Sequence, residues 1–355
     1  MRYERNNDDI GSLVAASVET LWSRRAYREL TVLLRRERPD VAHVHNIWYR
    51  VSPAAYAACH DAGVPVVQTL HNYRMFCANA LLLRDGRPCE ECVGKVPWPG
   101  LRHGCFRESR LATAPVAFAE WLHAVRGTWL HGVDRYIALT QFARERFVAC
   151  GLPRERIAVK PNFLADAPPP SGVPGHGALF VGRLTPEKGV ALLLDGARLV
   201  GHPEFLLELV GDGALREAVV LAAALSGGRI RAAGALSRTR CLEAMRRALF
   251  VVVPSICYEN FPLTIVESFA CGTPVLASRL GSMAELVEDG VTGRLFAPGN
   301  ASELATALEW MIAHPAECAT MGRAARAVFE KRYTERMNFE ALMSIYRQVT
   351  SGTPA

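Results

Sequence analysis

Short apolar runs alternate with helical patterns through the second half of the chain. Continuous apolar segments predict buried strands at 178–182, 205–213, 229–234, 249–255 and 274–278. Apolar residues recur at helical spacing in the stretches 189–199, from 214 onward, 238–249, 263–271 and 283–288. Strands that are apolar throughout and separated by helices are typical of a parallel sheet covered on both faces. This half is therefore predicted to be a doubly wound, Rossmann-like α/β domain.

The first half follows the same alternation less completely. Strands are predicted at 41–45, 64–70, 135–139 and 157–160, and helices at 11–37, 53–62, 111–130 and 141–150. The long segment 71–108 has no regular pattern, and irregular segments of that length are usually functional. A stretch rich in proline and glycine, 161–177, cannot form a helix or an interior strand. We therefore expect two Rossmann-like domains, at 1–163 and 170–334.

Composition and charge narrow the class of protein. Hydrophobic residues make up 50% of the chain and charged residues 21%, which excludes a disordered protein. No apolar run is long enough to span a membrane, and the opening MRYERNNDDI has no signal-peptide pattern, so a cytoplasmic protein is expected.

The positive charge is confined to the first half. Residues 1–162 contain 23 basic and 16 acidic side chains, a net charge of +7, and the remainder contains 18 and 19, a net of −1. A basic surface attracts phosphates, nucleic acid or an acidic membrane. A general preference for arginine in the genome would give the same excess.

The loop Gly182–Gly189 has the composition of a phosphate site. It follows a predicted buried strand and opens a helix, where ligands bind in this architecture. Arg183 and Lys188 place two cations beside the helix N-terminus, whose free N–H groups already favour anions. A diphosphate would suit this loop, although a helix start with ordinary surface charges remains the alternative. The Walker pattern of nucleotide hydrolases is absent from it.

Two glutamates, Glu259 and Glu267, follow the predicted strand 249–255 at a spacing of eight positions. Glu259 lies in the loop, and Pro262 is a good first residue for the next helix. Glu267 lies in an otherwise apolar run, where burying a carboxylate is costly without partners. The vicinal hydroxyls of a ribose would be suitable partners. The alternative is a pair of acids that only complement the helix dipole.

These motifs together resemble glycosyltransferase family 4, the retaining nucleotide-sugar transferases of the GT-B fold. The resemblance rests on Gly182-Arg183 with Lys188-Gly189, on LVGDG (209–213), on the two glutamates and on Asp289-Gly290 with Gly293. It implies two Rossmann-like domains facing a cleft, with the first on the acceptor side and the second binding the donor. It also implies that a terminal helix, 335–350, packs back on the first domain.

The resemblance assigns roles residue by residue. Arg183 and Lys188 would bind the donor diphosphate, Glu259 the hydroxyls of the transferred sugar, and Glu267 the ribose. His71, in TLHN, matches the histidine that faces the donor sugar; its usual neighbour is Asp, and here it is Asn72. The remaining donor-binding residues would be Gly182, Gly234, Leu236, Asn260, Phe261, Pro262, Leu263 and Thr264. No metal and no protein general base are implied for catalysis.

Members of that family begin with a strand and a Gly-Gly loop, and MRYERNNDDI matches neither. We therefore expect the first domain to lack its leading βαβ unit. A truncated chain that binds a nucleotide sugar without catalysis is accordingly one alternative function, and a GT-B epimerase is another.

Four cysteines cluster in the irregular segment, with the spacing C-x11-C-x2-C-x12-C: Cys77, Cys89, Cys92 and Cys105. A CxxC with two flanking cysteines fits a structural zinc site. Reduced thiols and a disulfide or redox pair are the alternatives. Zinc and a basic half also raise a remote alternative, a nucleic-acid-binding protein, which the two glutamates do not fit. The leading prediction therefore has a nucleotide sugar, a glycan or lipid-linked acceptor and an acidic membrane surface as partners, and no nucleic acid.

Overall fold

The computed structural model describes residues 21–48, 51–170 and 175–351. Contacts divide the chain into two units. The first consists of the residues up to Leu82, Glu90–Lys160 and the residues from Glu340 onward, and the second of Leu83–Cys89 and Pro161–Phe339. The predicted lack of a leading strand concerns residues that lie outside the described ranges.

The first unit is built on a four-stranded sheet in the order β1-β2-β5-β6, and every neighbouring pair is parallel. Its strands are β1 (Ala42–Val44), β2 (Val66–Thr69), β5 (Arg135–Ala138) and β6 (Ile157–Val159). The short hairpin of β3 (Leu83–Arg84) and β4 (Arg87–Pro88) lies between β2 and β5 in the chain and belongs to the segment grouped with the second unit. The four sheet strands lie within the predicted segments. The hairpin, in the irregular segment, was not predicted.

Helices α1 to α6 accompany these strands. They are α1 (Arg24–Glu37), α2 (Ala54–Asp61), α3 (Trp98–His103), α4 (Arg110–Val125), α5 (Thr128–His131) and α6 (Gln141–Ala149). Serine caps fix two of the helix starts: the hydroxyl of Ser23 accepts from the Ala26 amide, and that of Ser109 accepts from the Ala112 amide, both at 3.2 Å.

The second unit is built on a six-stranded parallel sheet in the order β12-β11-β10-β7-β8-β9. Its strands are β7 (Ala178–Val181), β8 (Leu207–Val210), β9 (Ile230–Gly234), β10 (Phe250–Val253), β11 (Val275–Ser278) and β12 (Gly293–Phe296). Five of them were predicted. The edge strand β12 was not predicted, because its residues, GRLF, do not form an apolar run.

Helices α7 to α13 cover this sheet. They are α7 (Val190–Leu199), α8 (Arg216–Leu225), α9 (Arg238–Arg247), α10 (Leu263–Ala270), α11 (Gly281–Leu286), α12 (Ala301–Ala313) and α13 (Pro315–Arg332). The core between helices and sheet is fully apolar: Phe180, Phe250 and Leu304 are each at most 3% exposed. Two parallel sheets with covering helices are the α/β architecture that the alternation predicts.

The last helix, α14 (Glu335–Thr350), supplies a small cluster in the first unit. Its Ile345 packs with Val67 of β2 and Ile137 of β5, and all three are buried. Among the described residues, no helix combines the length and apolar character needed to cross a membrane.

Candidate functional site

The loops that follow β7 and β10 meet because these strands are neighbours in the parallel sheet. Lys188, at the end of the first loop, donates from Nζ to Glu259 Oε1 in the second at 2.6 Å. Ser255 Oγ donates to the same oxygen at 2.7 Å. Both members of the ion pair are largely shielded from water. Two residues assigned to the diphosphate and to the sugar therefore lie in direct contact.

Glycine is required where these loops touch. A Cβ on Gly189 would lie 1.9 Å from the carbonyl oxygen of Pro254, and the residue has φ +71°. The Ile256 amide donates to the Glu187 carbonyl at 3.1 Å, which joins the loops a second time. A larger residue at 189 would push them apart and move Lys188 away from Glu259.

Glycine is also required in LVGDG, because the backbones of two loops approach each other closely there. A Cβ on Gly211 would lie 1.8 Å from the carbonyl oxygen of Gly182, and Gly211 has φ +149°. The two predicted glycine motifs, at 182–189 and 209–213, thus allow the loops after β7 and β8 to pack backbone against backbone. The structure brings Gly182 into this contact.

Arg183 is placed differently from Lys188. Its guanidinium lies 3.2 Å from Glu187 Oε1, four residues along the same loop, and the side chain is 68% exposed. Arg183 is therefore an exposed cation on the same loop as the partly shielded Lys188, with a modest ion pair to its own loop.

The N-terminus of α10 lies beside the end of β7. Thr264 Oγ1 donates to the Val181 carbonyl at 3.4 Å, and the backbone carbonyl of Asn260 accepts from Ser282 Oγ at 3.2 Å. Asn260 and Phe261 are buried, and Leu263 is exposed. The predicted segment from Asn260 to Thr264 is therefore held at the same edge of the sheet as Lys188 and Glu259.

Glu267 lies one turn further along α10. Its Oε1 is 3.9 Å from Nε of Arg238, the first residue of α9. Burial raises the pKa of Glu267, and Arg238 opposes that shift. Gly234, the last residue of β9, has φ +69°, and the carbonyl of Leu236, in the loop before α9, accepts from the Cys241 thiol at 3.8 Å. The predicted ribose and base residues therefore border one another.

His71 belongs to the first unit and follows β2. Its Nε2 lies 2.7 Å from Nδ1 of His45. The neighbouring Asn72 accepts from the Arg74 amide at 3.0 Å, so its side chain closes a turn. Three polar residues near His71 were not singled out from the sequence: His43, His45 and Lys160. The alternation in VAHVH places both histidines on one face of the predicted strand 41–45 and was a usable signal.

The cysteine cluster does not form a metal site in the structure. None of these four cysteines is part of a disulfide. Within residues 21–48, 51–170 and 175–351, no three His, Cys, Asp or Glu side chains are grouped so that they could hold a metal ion. Burial raises the pKa of Cys77 to about 11 and that of Cys92 to about 12. Zinc binding stays a prediction, and it would require these side chains to move from their described positions.

Two family models match the chain, one in each half. "Glycosyltransferase Family 4" matches residues 11–166, and "Glycosyl transferases group 1" matches residues 176–328. An uncharacterized glycosyltransferase of Methanocaldococcus jannaschii is 31% identical over 175 residues, 48% of each chain. A phosphatidyl-myo-inositol mannosyltransferase of Mycobacterium leprae is 31% identical over 234 residues, 63% of this chain and 62% of that protein. The chain thus spans about half the length of the first relative and under two thirds of the second.

Among solved structures, the Anabaena protein HepE in complex with UDP-glucose has a TM-score of 0.64 at 21% identity. The superposition covers 90% of this chain and 81% of HepE. The fold is therefore shared along nearly the whole chain.

Proposed function

Because the chain belongs to the glycosyltransferases that these two family models describe, we propose that it transfers a sugar from a nucleoside diphosphate sugar to a glycan or lipid-linked acceptor. The anomeric configuration is retained, and the reaction serves surface polysaccharide or glycolipid assembly. The UDP-glucose in HepE supports the donor class, and the name of the mycobacterial relative supports a lipid acceptor.

The pair of Lys188 and Glu259 carries this proposal. Breaking the bond between sugar and diphosphate leaves negative charge on the departing nucleotide, and a preplaced ammonium stabilises that charge. Lys188 has this role, and the exposed Arg183 adds a second cation. Both contacts to Glu259 fall on Oε1, so we assign its Oε2 to the hydroxyls of the transferred sugar.

The remaining contacts follow from the surrounding loops. Glu267 accepts from the ribose hydroxyls, and the backbone from Gly234 to Leu236 frames the base. Amides at the start of α10 face the phosphate and the sugar. His71 supplies a hydrogen bond to the transferred sugar. We assign no protein general base and no metal: the donor phosphate assists deprotonation of the acceptor.

Nucleotide release from a panel of nucleotide sugars, including UDP-glucose and GDP-mannose, tests the proposal. Lys188→Ala is expected to lower kcat/KM by about 100-fold, the usual cost of removing one preorganised group that stabilises developing charge. Arg198→Ala is the matched control, because Arg198 pairs with Asp195 on the surface of α7. Equal rates for Lys188→Ala and Arg198→Ala would contradict the role of the pair. Donor binding without any release would favour a non-catalytic binding protein.

An acidic membrane surface is part of the same proposal. Helix α4 carries three apolar residues on one exposed stripe, at i, i+7 and i+14: Leu111, Phe118 and Val125. Phe118 and the exposed Trp98 both pack on the Trp121 ring, with centroids 5.7 and 5.9 Å apart. We call this the α4 face. Trp129, by contrast, is buried in the core.

The net charge of +7 in residues 1–162 selects an anionic surface as the occupant of the α4 face. Exposed apolar and aromatic side chains on a domain with an excess of basic residues are typical of a surface that inserts into the headgroup region. Such docking would place the protein on the cytoplasmic side of a membrane, next to a lipid-linked acceptor.

A further inference from the structure

Three imidazoles stand in a row at one edge of the first sheet. His43 lies on β1, and His45 follows two residues later on the same face. The parallel register pairs His43 with Val67, so β2 leads toward His71 beside His45. The rings of His43 and His45 stack at 4.4 Å between centroids, and those of His45 and His71 at 5.0 Å. We call these three residues the histidine row.

The row is anchored at one end. His43 Nδ1 lies 2.7 Å from the hydroxyl of Tyr346 on α14, and its Nε2 lies 2.8 Å from Thr69 Oγ1 at the end of β2. Both nitrogens of His43 are therefore engaged, and its ring cannot turn without breaking a hydrogen bond. Because His45 stacks on this fixed ring, its orientation is set as well.

The other end reaches the exposed His71. Nδ1 of His45 and Nε2 of His71 are 2.7 Å apart. A hydrogen bond between two neutral imidazoles needs one N–H donor and one bare acceptor nitrogen. The tautomer of His71 is therefore coupled to that of His45. This tautomer decides whether His71 Nδ1 donates a hydrogen bond to a ligand or accepts one from it.

The surroundings keep the row neutral. Partial burial lowers the pKa of His43 to about 4 and also lowers the pKa of His45 and of His71. Lys160, a buried cation directly after β6, lowers the pKa of all three histidines further. Tyr346 on α14 is a further titratable group in contact with the row. A neutral row satisfies the requirement that one imidazole donate and the next accept.

We propose that His45 is a positioning residue: it fixes the ring orientation and the tautomer of His71, so that His71 presents one defined hydrogen-bonding nitrogen to the substrate. The orientation comes from the stack on His43, and the short hydrogen bond makes the tautomer of His71 follow that of His45. Only the statement that His71 contacts the substrate rests on the proposed function. The coupling between the two histidines is a property of the protein without substrate.

The test uses two polar substitutions that differ in reach. Asparagine carries its amide close to the position of a histidine Nδ1, whereas the longer glutamine carries it near the position of Nε2. His45→Asn should therefore keep the bond to His71, and His45→Gln should lose it. His60→Gln, at an exposed position on α2, is the control.

Imidazole nitrogen chemical shifts, measured by NMR on the full chain without substrate, report the tautomer of His71. We expect one tautomer in the unsubstituted protein, in His45→Asn and in His60→Gln, and a mixture in His45→Gln. An unchanged tautomer in His45→Gln would overturn the coupling, whatever the enzyme activity.

Steady-state kinetics with a nucleotide sugar then test the consequence. His45→Gln is expected to lower kcat by about fivefold, the worth of one neutral hydrogen bond, and His45→Asn to stay near the unsubstituted rate. Equal kcat values for the two variants would overturn the positioning role. If the unsubstituted chain released nucleotide from no donor, the proposed function would fail, and the NMR result would still decide the coupling.

Discussion

A buried carboxylate in α4 gives the sharpest prediction about stability. Glu120 is 2% exposed, and neither of its carboxylate oxygens has a hydrogen-bond partner among the described residues. Burial raises its pKa from 4.5 to about 8, although the guanidinium of Arg74 acts in the opposite direction. The folded protein therefore holds a proton on Glu120 at pH 7 that the unfolded chain has released.

The sign and the size of the effect follow from proton linkage. Because the folded pKa lies above the unfolded value, the favourable contribution is complete below pH 4.5 and is lost as the pH rises toward 8. Each pH unit in this window lowers the free energy of unfolding by about 1.4 kcal/mol. At pH 7 the loss amounts to roughly 3 kcal/mol, a large share of the stability of a typical domain.

The perturbation is Glu120→Gln, which keeps the shape and removes the titration. Urea unfolding of both proteins at pH 5, 6 and 7 gives the difference between their free energies of unfolding. We expect the free energy of unfolding of the glutamine variant, relative to that of the unsubstituted protein, to increase by roughly 3 kcal/mol between pH 5 and pH 7. Glu243→Gln, at an exposed position on α9, is the control and should show no such gain. A pH-independent difference for Glu120→Gln would refute the reasoning.

Three further predictions concern the membrane face, the loop contact and the cysteines. Leu111→Asp should reduce the fraction of protein that sediments with phosphatidylglycerol vesicles, whereas Leu225→Asp, on the exposed side of α8, should not. An equal loss of vesicle binding in both variants, or equal binding of the unsubstituted protein to neutral vesicles, would contradict docking through the α4 face. Gly189→Ala should destabilise the protein by more than Gly290→Ala, since both have positive φ but only Gly189 meets a carbonyl oxygen; equal urea midpoints would contradict the loop contact. If the cysteine cluster binds zinc, elemental analysis should find an equimolar amount that is lost in Cys89→Ser, and no metal in either protein would end that prediction.

The sequence predicted the fold well where burial alone decides the pattern. Strands such as Phe250–Val253 are covered on both faces, so an unbroken apolar run reveals them. The edge strand Gly293–Phe296 and the hairpin at 83–88 escaped prediction, because pairing on an edge or in a short ribbon requires no apolar run.

The sequence predicts individual site residues, whose roles stay predictions, but it does not predict the contacts between them. Lys188 and Glu259 come from loops 71 positions apart, and only the order of the strands brings them together. The histidine row was missed for a similar reason: VAHVH reveals a strand, but the position of His71 beside it depends on which strand β1 pairs with. Arg183 was grouped with Lys188 by its position in the loop, and only the structure separates the exposed cation from the shielded one.

The anomeric configuration of the product tests the central claim most directly. Slow transfer to water needs no knowledge of the acceptor, so the chain can be incubated with an α-linked donor, UDP-glucose or GDP-mannose, and followed by proton NMR from the first minutes. A retaining glycosyltransferase releases the α-anomer of the sugar first, and the β-anomer appears only through mutarotation. Initial formation of the β-anomer, or no nucleotide release from any donor, would contradict the account.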